Sequence, residues 1–199
     1  FVTLAPDSIT AGERVSSGLE PFDTKLFYKD YPKMSAMGKM LSDHIRAIDV
    51  LSDVKGVDEA RIGVIGHDMG GYNALMLAAF DDRIQACVAS CAFTLLETDD
   101  EPDRWARKSG LVLLPKLRKA LENGKAPFDW DQILALIAPA PTLLVTGLND
   151  EVLPNPQRCE EAANRASTEA AIKNGTNRNG HKIGTEGLAA ADEWFDRWL

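Results

Sequence analysis

The stretch that most constrains the fold is RIGVIGHDMGGYNALMLAAF, residues 61–80. Its first half is a short apolar run typical of a buried strand, and the segment from Gly70 onward is rich in Ala, Leu and Met and predicts a helix. Gly66 and Gly70 flank Asp68 at the spacing of a nucleophile elbow, where both glycines are expected to let strand and helix pass close together. The sequence therefore predicts a strained strand–turn–helix with Asp68 at its tip, in preference to an ordinary turn in which Asp68 only caps the helix.

Strand-like and helical segments alternate along the rest of the chain. Apolar runs predict strands at residues 1–5, 61–66, 83–90, 141–147 and 168–174. Helical patterns fall at residues 37–51, 70–80, 131–137, 154–166 and 183–199, whereas residues 6–32 look irregular. This alternation predicts an α/β fold with a mostly parallel sheet and helices on both faces, whose ligands bind at the carboxyl ends of the strands. We expect a single domain over residues 1–199, with a small helical insert at about 93–137 that covers the site and shapes specificity.

Two other turns that follow strands carry residues of chemical interest. Asp150 follows the strand at 141–147, where an acid can orient a histidine, and Glu151 is an adjacent competitor for that role. His181 lies in a glycine-rich loop before the last helix. The order Asp68, Asp150, His181 is the α/β-hydrolase order of nucleophile, acid and histidine. His67 is expected to pack or hydrogen-bond within its turn.

The chain resembles the α/β-hydrolase superfamily, in its dienelactone hydrolase and acetyl xylan esterase-like group. The resemblance rests on APDSITAGER, MGKMLSDHIRAIDVL, VDEARIGVIGHDMGG, FDWDQILALIAPAPTLLVTGLND and NGH. It implies that Asp68 replaces the nucleophilic serine, that His181 is the base and that Asp150 orients it. It also implies that the backbone N–H of Met69 stabilises an oxyanion. The resemblance further implies that residues 1–5 form an interior strand and that the earlier strands, with the second oxyanion donor, are absent from this chain.

An aspartate at the tip changes the chemistry and leaves three hypotheses. In the first, the chain is an ester-hydrolase scaffold whose activity is impaired by Asp68. In the second, Asp68 is a true nucleophile that attacks an alkyl carbon, as in dehalogenases, and Trp105 or Trp130 could then bind a halide. In the third, the protein is a non-catalytic binding relative, which gives no reason to keep Asp150 and His181. The resemblance favours the first, with a small-molecule ester as substrate.

Composition excludes several other classes of function. The net charge of −8 argues against nucleic acid as a partner, and no apolar run approaches the roughly 20 residues needed to span a bilayer. Three cysteines do not describe a disulfide framework, which favours a reducing, cytoplasmic setting. The sequence contains no recognisable metal cluster or phosphate-binding loop, so we expect no metal and no cofactor. It does not specify an oligomeric state.

Overall fold

A computed structural model describes residues 1–99, 101–154, 156–166, 172–178 and 180–199 of the protein. These residues form two compact units. The first, here called the helical unit, comprises Phe1–Val57 and Asp99–Pro127, and the second, the sheet unit, comprises Asp58–Thr98 and Phe128–Leu199. None of the helices in the described part of the chain has the length and apolar character that a membrane-spanning segment requires.

The helical unit is built around one long amphipathic helix. Its helices are α1 (Lys25–Asp30), α2 (Ala36–Ser52) and α4 (Leu117–Glu122), with 3₁₀ turns at Gly12–Arg14 and Pro102–Arg104. Ser35 caps α2 because its hydroxyl accepts a hydrogen bond from the N–H of Gly38 at 3.0 Å. The face of α2 that carries Met37, Met40 and Ile48 is buried, which confirms the helix predicted at 37–51.

The sheet unit contains four parallel strands in the order β1-β2-β3-β4. The strands are β1 (Ile62–His67), β2 (Ile84–Ser90), β3 (Thr142–Gly147) and β4 (Ile172–Asn177). The helices are α3 (Met69–Phe80), α5 (Trp130–Ile137), α6 (Gln157–Ala166) and α7 (Gly184–Trp198), with a 3₁₀ turn at Leu96–Thr98. Each strand is followed by a helix, and this alternation returns the chain to a parallel sheet.

Both faces of β2, one of the two inner strands, are covered. Ala86 and Val88 pack with Trp194 and Phe195 of α7 in one apolar cluster. The alternate residues of β2 point to the opposite face, and they include Cys87, which is also fully buried. A parallel sheet flanked by helices is therefore confirmed, and it brings the carboxyl ends of β1, β3 and β4 to one edge.

Three predictions about local structure need correction. Residues 1–5 are not a strand: Phe1, Val2 and Leu4 are exposed and carry no strand pairing, and an apolar run becomes a strand only when a neighbour satisfies its backbone. The segment 6–32, predicted to be irregular, contains α1. The last predicted strand is shifted, since β4 is Ile172–Asn177, and residues 168–171 lie outside the described part of the chain.

Candidate active site

Asp68 occupies the tip of a sharp turn between β1 and α3. Its backbone has φ 51° and ψ −117°, a region that residues other than glycine rarely adopt and that costs about 1–3 kcal/mol. Hydrogen bonds hold it there: the Asp68 N–H donates to the carbonyl of Ser90 at 2.9 Å, and the Asp68 carbonyl accepts from the N–H of Gly71 at 2.9 Å. The side chain is 55% exposed. The turn thus presents a carboxylate to solvent on a backbone that is fixed at both ends.

The glycines around the tip have different reasons to be there. A Cβ added to Gly66 would lie 1.9 Å from the carbonyl oxygen of Gly70, so β1 and the start of α3 approach too closely for any side chain. A Cβ on Gly71 would lie 2.8 Å from the Cβ of Ala92. By contrast, a Cβ on Gly70 would meet no atom of the described residues within 4 Å. A side chain would therefore clash at Gly66, as expected of an elbow glycine. At Gly70 a side chain would have room among the described residues, and it is the Gly70 backbone that lies close to Gly66.

Asp150 is held in one orientation after β3. The backbone N–H groups of Val152 and Leu153 each donate to its Oδ1 at 2.8 Å. Its side chain is only 2% exposed. Burial raises the pKa of Asp150, but the hydrogen bonds from Leu153, His181 and Val152 outweigh burial, and the pKa lies below its ordinary value. Asp150 is thus a fixed carboxylate, whereas the neighbouring Glu151 is exposed.

His181 is positioned by the loop that follows β4. The side-chain amide of Asn177, the last residue of β4, donates to the carbonyl of Lys182 at 3.1 Å. Gly180 permits a close approach to the preceding loop, because a Cβ there would lie 3.2 Å from the carbonyl oxygen of Asn149. Asn177 did not stand out in the sequence, where the available signal was a polar residue that ends an otherwise buried strand.

The structure brings Asp68, Asp150 and His181 together. His181 Nδ1 lies 2.9 Å from Asp150 Oδ2, and His181 Nε2 lies 3.3 Å from Asp68 Oδ1. An ionised carboxylate has no proton to donate, so both contacts are hydrogen bonds at the same time only when the imidazole carries a proton on each nitrogen. The N–H of Met69 belongs to the first residue of α3, where backbone donors have no acceptor inside the helix. All four residues predicted from the sequence thus converge at one end of the sheet.

Three further side chains surround this group. His67 Nδ1 lies 3.1 Å from Ser90 Oγ, and the His67 ring centroid lies 5.0 Å from that of His181. Ser90 is fully buried, so its hydroxyl is closed to a substrate. Cys91 is also buried, and burial raises the pKa of its thiol to about 11. Cys91 is therefore a neutral thiol behind the site and not a competing nucleophile.

Cys91, Asp150 and His181 could in principle share a cation, since one ligand atom of each lies within 4.8 Å of the other two. Two of these groups, however, already hydrogen-bond each other, and the third would have to lose a proton whose pKa is raised. A cation would have to break the Asp150–His181 contact in order to bind. The geometry therefore fits a hydrogen-bonded acid–histidine pair better than a metal centre.

Comparison with known proteins identifies the family. Residues 27–199 match the model of the prolyl oligopeptidase family. The chain belongs to this family. Among curated proteins, the putative hydrolase YtaP of Bacillus subtilis (strain 168) is 33% identical over 117 residues, which cover 59% of this chain and 37% of YtaP.

Solved structures agree on the fold. A glucuronoyl esterase from Solibacter usitatus superposes with a TM-score of 0.68 at 17% identity, over 81% of this chain and 48% of that one. An acetyl xylan esterase from Paenibacillus sp. R4 superposes with a TM-score of 0.62 at 21% identity, over 82% of this chain and 54% of that one. This member of the prolyl oligopeptidase family therefore has an α/β-hydrolase fold, and it spans about half the length of these structures and just over a third of YtaP.

Proposed function

We propose that this chain carries the catalytic centre of a hydrolase of small carboxylic esters, of the dienelactone hydrolase and acetyl xylan esterase type. In this proposal Asp68 occupies the nucleophile position, His181 is the base and Asp150 orients it. The observation that carries the proposal is the placement of His181, whose Nδ1 is held by Asp150 while its Nε2 faces Asp68 at 3.3 Å. A fold alone does not bring three distant residues into this arrangement.

The aspartate explains why ester hydrolysis should be slow. A serine at residue 68 would give its proton to His181, attack the acyl carbon and leave an ester that water can hydrolyse. A carboxylate that attacks the same carbon forms an anhydride, which is a much less stable species. It also has no proton for His181 to remove. The Met69 N–H, at the positive end of α3, would still stabilise the oxyanion.

The relatives support a hydrolase and leave its substrate to experiment. The esterases from Solibacter usitatus and Paenibacillus sp. R4 share the fold, and YtaP is described as a putative hydrolase. The family is named for peptidases that cleave at proline, so a prolyl anilide is the natural comparison substrate. Small 4-nitrophenyl esters report ester cleavage with little demand on the binding pocket.

The test compares the full chain with the variant Asp68→Ser on 4-nitrophenyl acetate and on a prolyl 4-nitroanilide. We expect Asp68→Ser to raise kcat/KM for the ester by on the order of 10²-fold or more, because it restores a nucleophile that His181 can activate. Adding His181→Ala should remove the gain. Asp68→Ala is the matched control, since it also removes the carboxylate but supplies no nucleophile.

Each outcome bears on the proposal directly. A gain seen with serine but not with alanine, and lost without His181, supports an ester-hydrolase centre disabled at one position. Equal rates for the serine and alanine variants would refute it. A gain on the anilide alone would assign the centre to peptide hydrolysis.

A second candidate follows from the exposure of the Asp68 carboxylate. A carboxylate that is 55% exposed beside an imidazole suits attack on an alkyl carbon. Asp68 would displace a halide, which leaves with the bonding electron pair, and form an alkyl ester. His181 would then take a proton from water, and the hydroxide formed would attack the aspartyl carbonyl and release an alcohol.

Both tryptophans considered for halide binding are buried. Trp130 is buried and its ring stacks on that of Phe93, with ring centroids 5.4 Å apart. The indole N–H of Trp105 donates to Asp99 at 3.0 Å. The observation that favours attack on an alkyl carbon is therefore the exposure of the Asp68 carboxylate, and not the position of either tryptophan.

Isotope labelling tests the second candidate. If Asp68 is a nucleophile, turnover of a small haloalkane or haloacid in H₂¹⁸O should leave ¹⁸O in the Asp68 carboxylate, because water attacks that carbonyl. Mass spectrometry of the peptide that contains residue 68 would detect the label. Halide release without label in that peptide would exclude a covalent aspartyl ester.

A further inference from the structure

The side chain of Asn177 closes the loop that carries His181. This loop, here called the histidine loop, comprises residues 178–183, of which residue 179 lies outside the described part of the chain. Asn177 is the last residue of β4 and is only 2% exposed. Its amide nitrogen donates to the carbonyl of Lys182 at 3.1 Å and to that of Ile183 at 3.4 Å. One buried amide therefore joins the start of the histidine loop to its end.

Both ends of this closure are attached to the sheet. The backbone carbonyl of Asn177 accepts a hydrogen bond at 3.0 Å from the N–H of Leu148, which directly follows β3. Ile183 directly precedes α7, and α7 lies close to β3, because a Cβ added to Gly187 would be 3.1 Å from Cγ1 of Val145. The Asn177 amide thus links two parts of the sheet unit that are each held by contacts with β3 or with the residue after it.

His181 lies between these two ends, in a tight turn. The N–H of Lys182 donates to the carbonyl of Gly180 at 2.7 Å, so His181 is the central residue of a three-residue turn. The direction of its imidazole therefore depends on the path of the chain on either side. Nδ1 lies 2.9 Å from Asp150 Oδ2 and Nε2 lies 3.3 Å from Asp68 Oδ1, and a shift of about 1 Å would take either contact beyond hydrogen-bond distance.

We propose that Asn177 is a positioning residue: its amide closes the histidine loop and so holds the imidazole of His181 between Asp150 and residue 68. The proposal rests on the proposed function, because it gives His181 the role of base. Asn177 is buried, and it acts on the reaction only through His181. Contacts that orient a functional histidine from behind are worth about 10- to 100-fold at metal sites, and we expect a loss in this range.

A second asparagine also contacts the histidine loop but is expected to matter less. The side-chain amide of Asn149 donates to the carbonyl of Arg178 at 3.3 Å. Asn149 is exposed, so water can take the place of its amide, whereas the amide of Asn177 is buried. Asn149 also holds the loop on one side of His181 only, and it does not join the two ends. It therefore serves as the comparison residue.

The first experiment observes the position of His181 directly and needs no activity. The chain contains three histidines, so ¹⁵N-histidine labelling gives few ring signals, and their loss in His181→Ala identifies those of His181. We expect Asn177→Leu to change the ring ¹⁵N shifts of His181 and to speed the exchange of its Nδ1 proton with water, because the contact with Asp150 is loosened. Ring signals of His181 that are the same in the native chain and in Asn177→Leu would overturn the proposal.

The substitution is chosen to remove the donor and keep the packing. Leucine is close to asparagine in size and shape, and it suits a buried position, so the space at residue 177 stays filled. Asn164→Leu, on the exposed side of α6, is the matched control for the same change elsewhere. Urea unfolding of each variant shows whether a change in activity reflects a loss of stability.

The second experiment measures kinetics in the Asp68→Ser background with 4-nitrophenyl acetate. We expect Asn177→Leu to lower kcat by about tenfold or more with KM within about twofold, because the base is misplaced while the substrate is still bound. Asn149→Leu should retain kcat within about threefold, and Asn164→Leu should match the background. Equal losses in the Asn177→Leu and Asn149→Leu variants would overturn the role of Asn177. So would a rise in KM as large as the fall in kcat, which would mean that the substitution disturbs binding.

The two experiments separate failure of this proposal from failure of the proposed function. If Asp68→Ser is inactive, the proposed ester chemistry is wrong, and the ring signals of His181 in Asn177→Leu still decide the positioning role. If Asp68→Ser is active and Asn177→Leu leaves its kcat unchanged, the proposed function stands and the positioning role of Asn177 is refuted.

Discussion

The close approach of β1 and α3 at the elbow can be tested by adding a single methyl group. An alanine at residue 66 would place its Cβ 1.9 Å from the carbonyl oxygen and 2.1 Å from the carbonyl carbon of Gly70. Real Cβ contacts essentially never fall below 3.0 Å, so the strand and the helix start must separate by about 1 Å. The atoms in the way belong to the backbone, and no side-chain rotation can relieve them. We therefore expect Gly66→Ala to destabilise the sheet unit.

The size of the effect follows from the kind of contact. Overpacking a core costs about 1–3 kcal/mol when neighbouring side chains can adjust. Here the elbow is also held by the hydrogen bond from the Asp68 N–H to the Ser90 carbonyl, which a displaced strand would strain. We expect a loss of about 3 kcal/mol or more in the free energy of unfolding. With a urea m-value of about 2 kcal/mol/M, this lowers the unfolding midpoint by about 1.5 M or more.

The other glycines of the turn provide matched controls. Gly70→Ala adds the same methyl group at a place where no atom of the described residues lies within 4 Å, and alanine is the better helix former. We therefore expect the free energy of unfolding to rise by between about 0 and 1 kcal/mol. Gly71→Ala should fall between the two, because its Cβ would lie 2.8 Å from the Cβ of Ala92 and 2.9 Å from the carbonyl oxygen of Ser90, a less severe overlap than the 1.9 Å at Gly66. The expected order of stability is Gly70→Ala, then Gly71→Ala, then Gly66→Ala.

The assay is urea unfolding followed by far-UV circular dichroism and by tryptophan fluorescence. Coincident transitions justify a single free energy, whereas separate transitions assign each change to its own part of the chain. A Gly66→Ala protein with an unchanged midpoint would refute the close approach of β1 and α3. A Gly70→Ala protein destabilised as strongly as Gly66→Ala would show that the space around the two glycines does not differ.

Four further outcomes are expected. Asp68→Gly should be about 1 kcal/mol more stable than Asp68→Ala, because glycine relieves the positive φ of 51° that alanine would keep; equal urea midpoints would remove the case for strain. Asp129→Ala should cost about 3 kcal/mol or more of unfolding free energy, because the Asp129 carboxylate accepts three backbone N–H groups at 2.7–2.9 Å, and Asp129→Asn should lose less. His44→Leu should stabilise the chain, because burial lowers the pKa of His44 in the folded state, and the unfolded chain therefore binds a proton at His44 at a higher pH than the folded chain does. The gain in melting temperature should grow as pH falls below 6.5, and a gain independent of pH would contradict burial of the imidazole as its cause. At pH 8 the native thiols should resist a disulfide reagent, since burial raises the pKa of Cys91 to about 11, and all three should react in urea; rapid reaction of the native protein would contradict their burial.

The elbow and the order of the candidate triad could be predicted from the sequence because their signals are local. Apolar runs, helical periodicity and the glycines around Asp68 act over a few residues, and they predicted β1 and α3 to within one or two positions. The turns after β3 and β4 carried Asp150 and His181, and parallel strands bring such turns to the same edge. The convergence of Asp68, Asp150 and His181 could therefore be predicted from the sequence.

Other features depended on partners that are distant along the chain. Residues 1–5 have the composition of a strand, but they form none here because no ladder pairs with them. Asp150 and Glu151 are equivalent as adjacent acids, and only the path of the loop turns the first toward His181 and leaves the second exposed. The distinct reasons for Gly66 and Gly70 likewise follow from how closely a strand and a helix pack.

What the sequence by itself determined is the order of strands and helices and the chemistry offered by each turn, because periodicity and turn residues act through neighbours in the chain. What only the tertiary structure decided is which side chains meet. His67 is 23 residues from Ser90 along the chain, yet its Nδ1 lies 3.1 Å from the Ser90 hydroxyl and its ring centroid lies 5.0 Å from that of His181; these contacts exist only because strand register and loop path place them there. Contacts of this kind leave no periodic trace in a sequence, since neither partner needs an unusual neighbour.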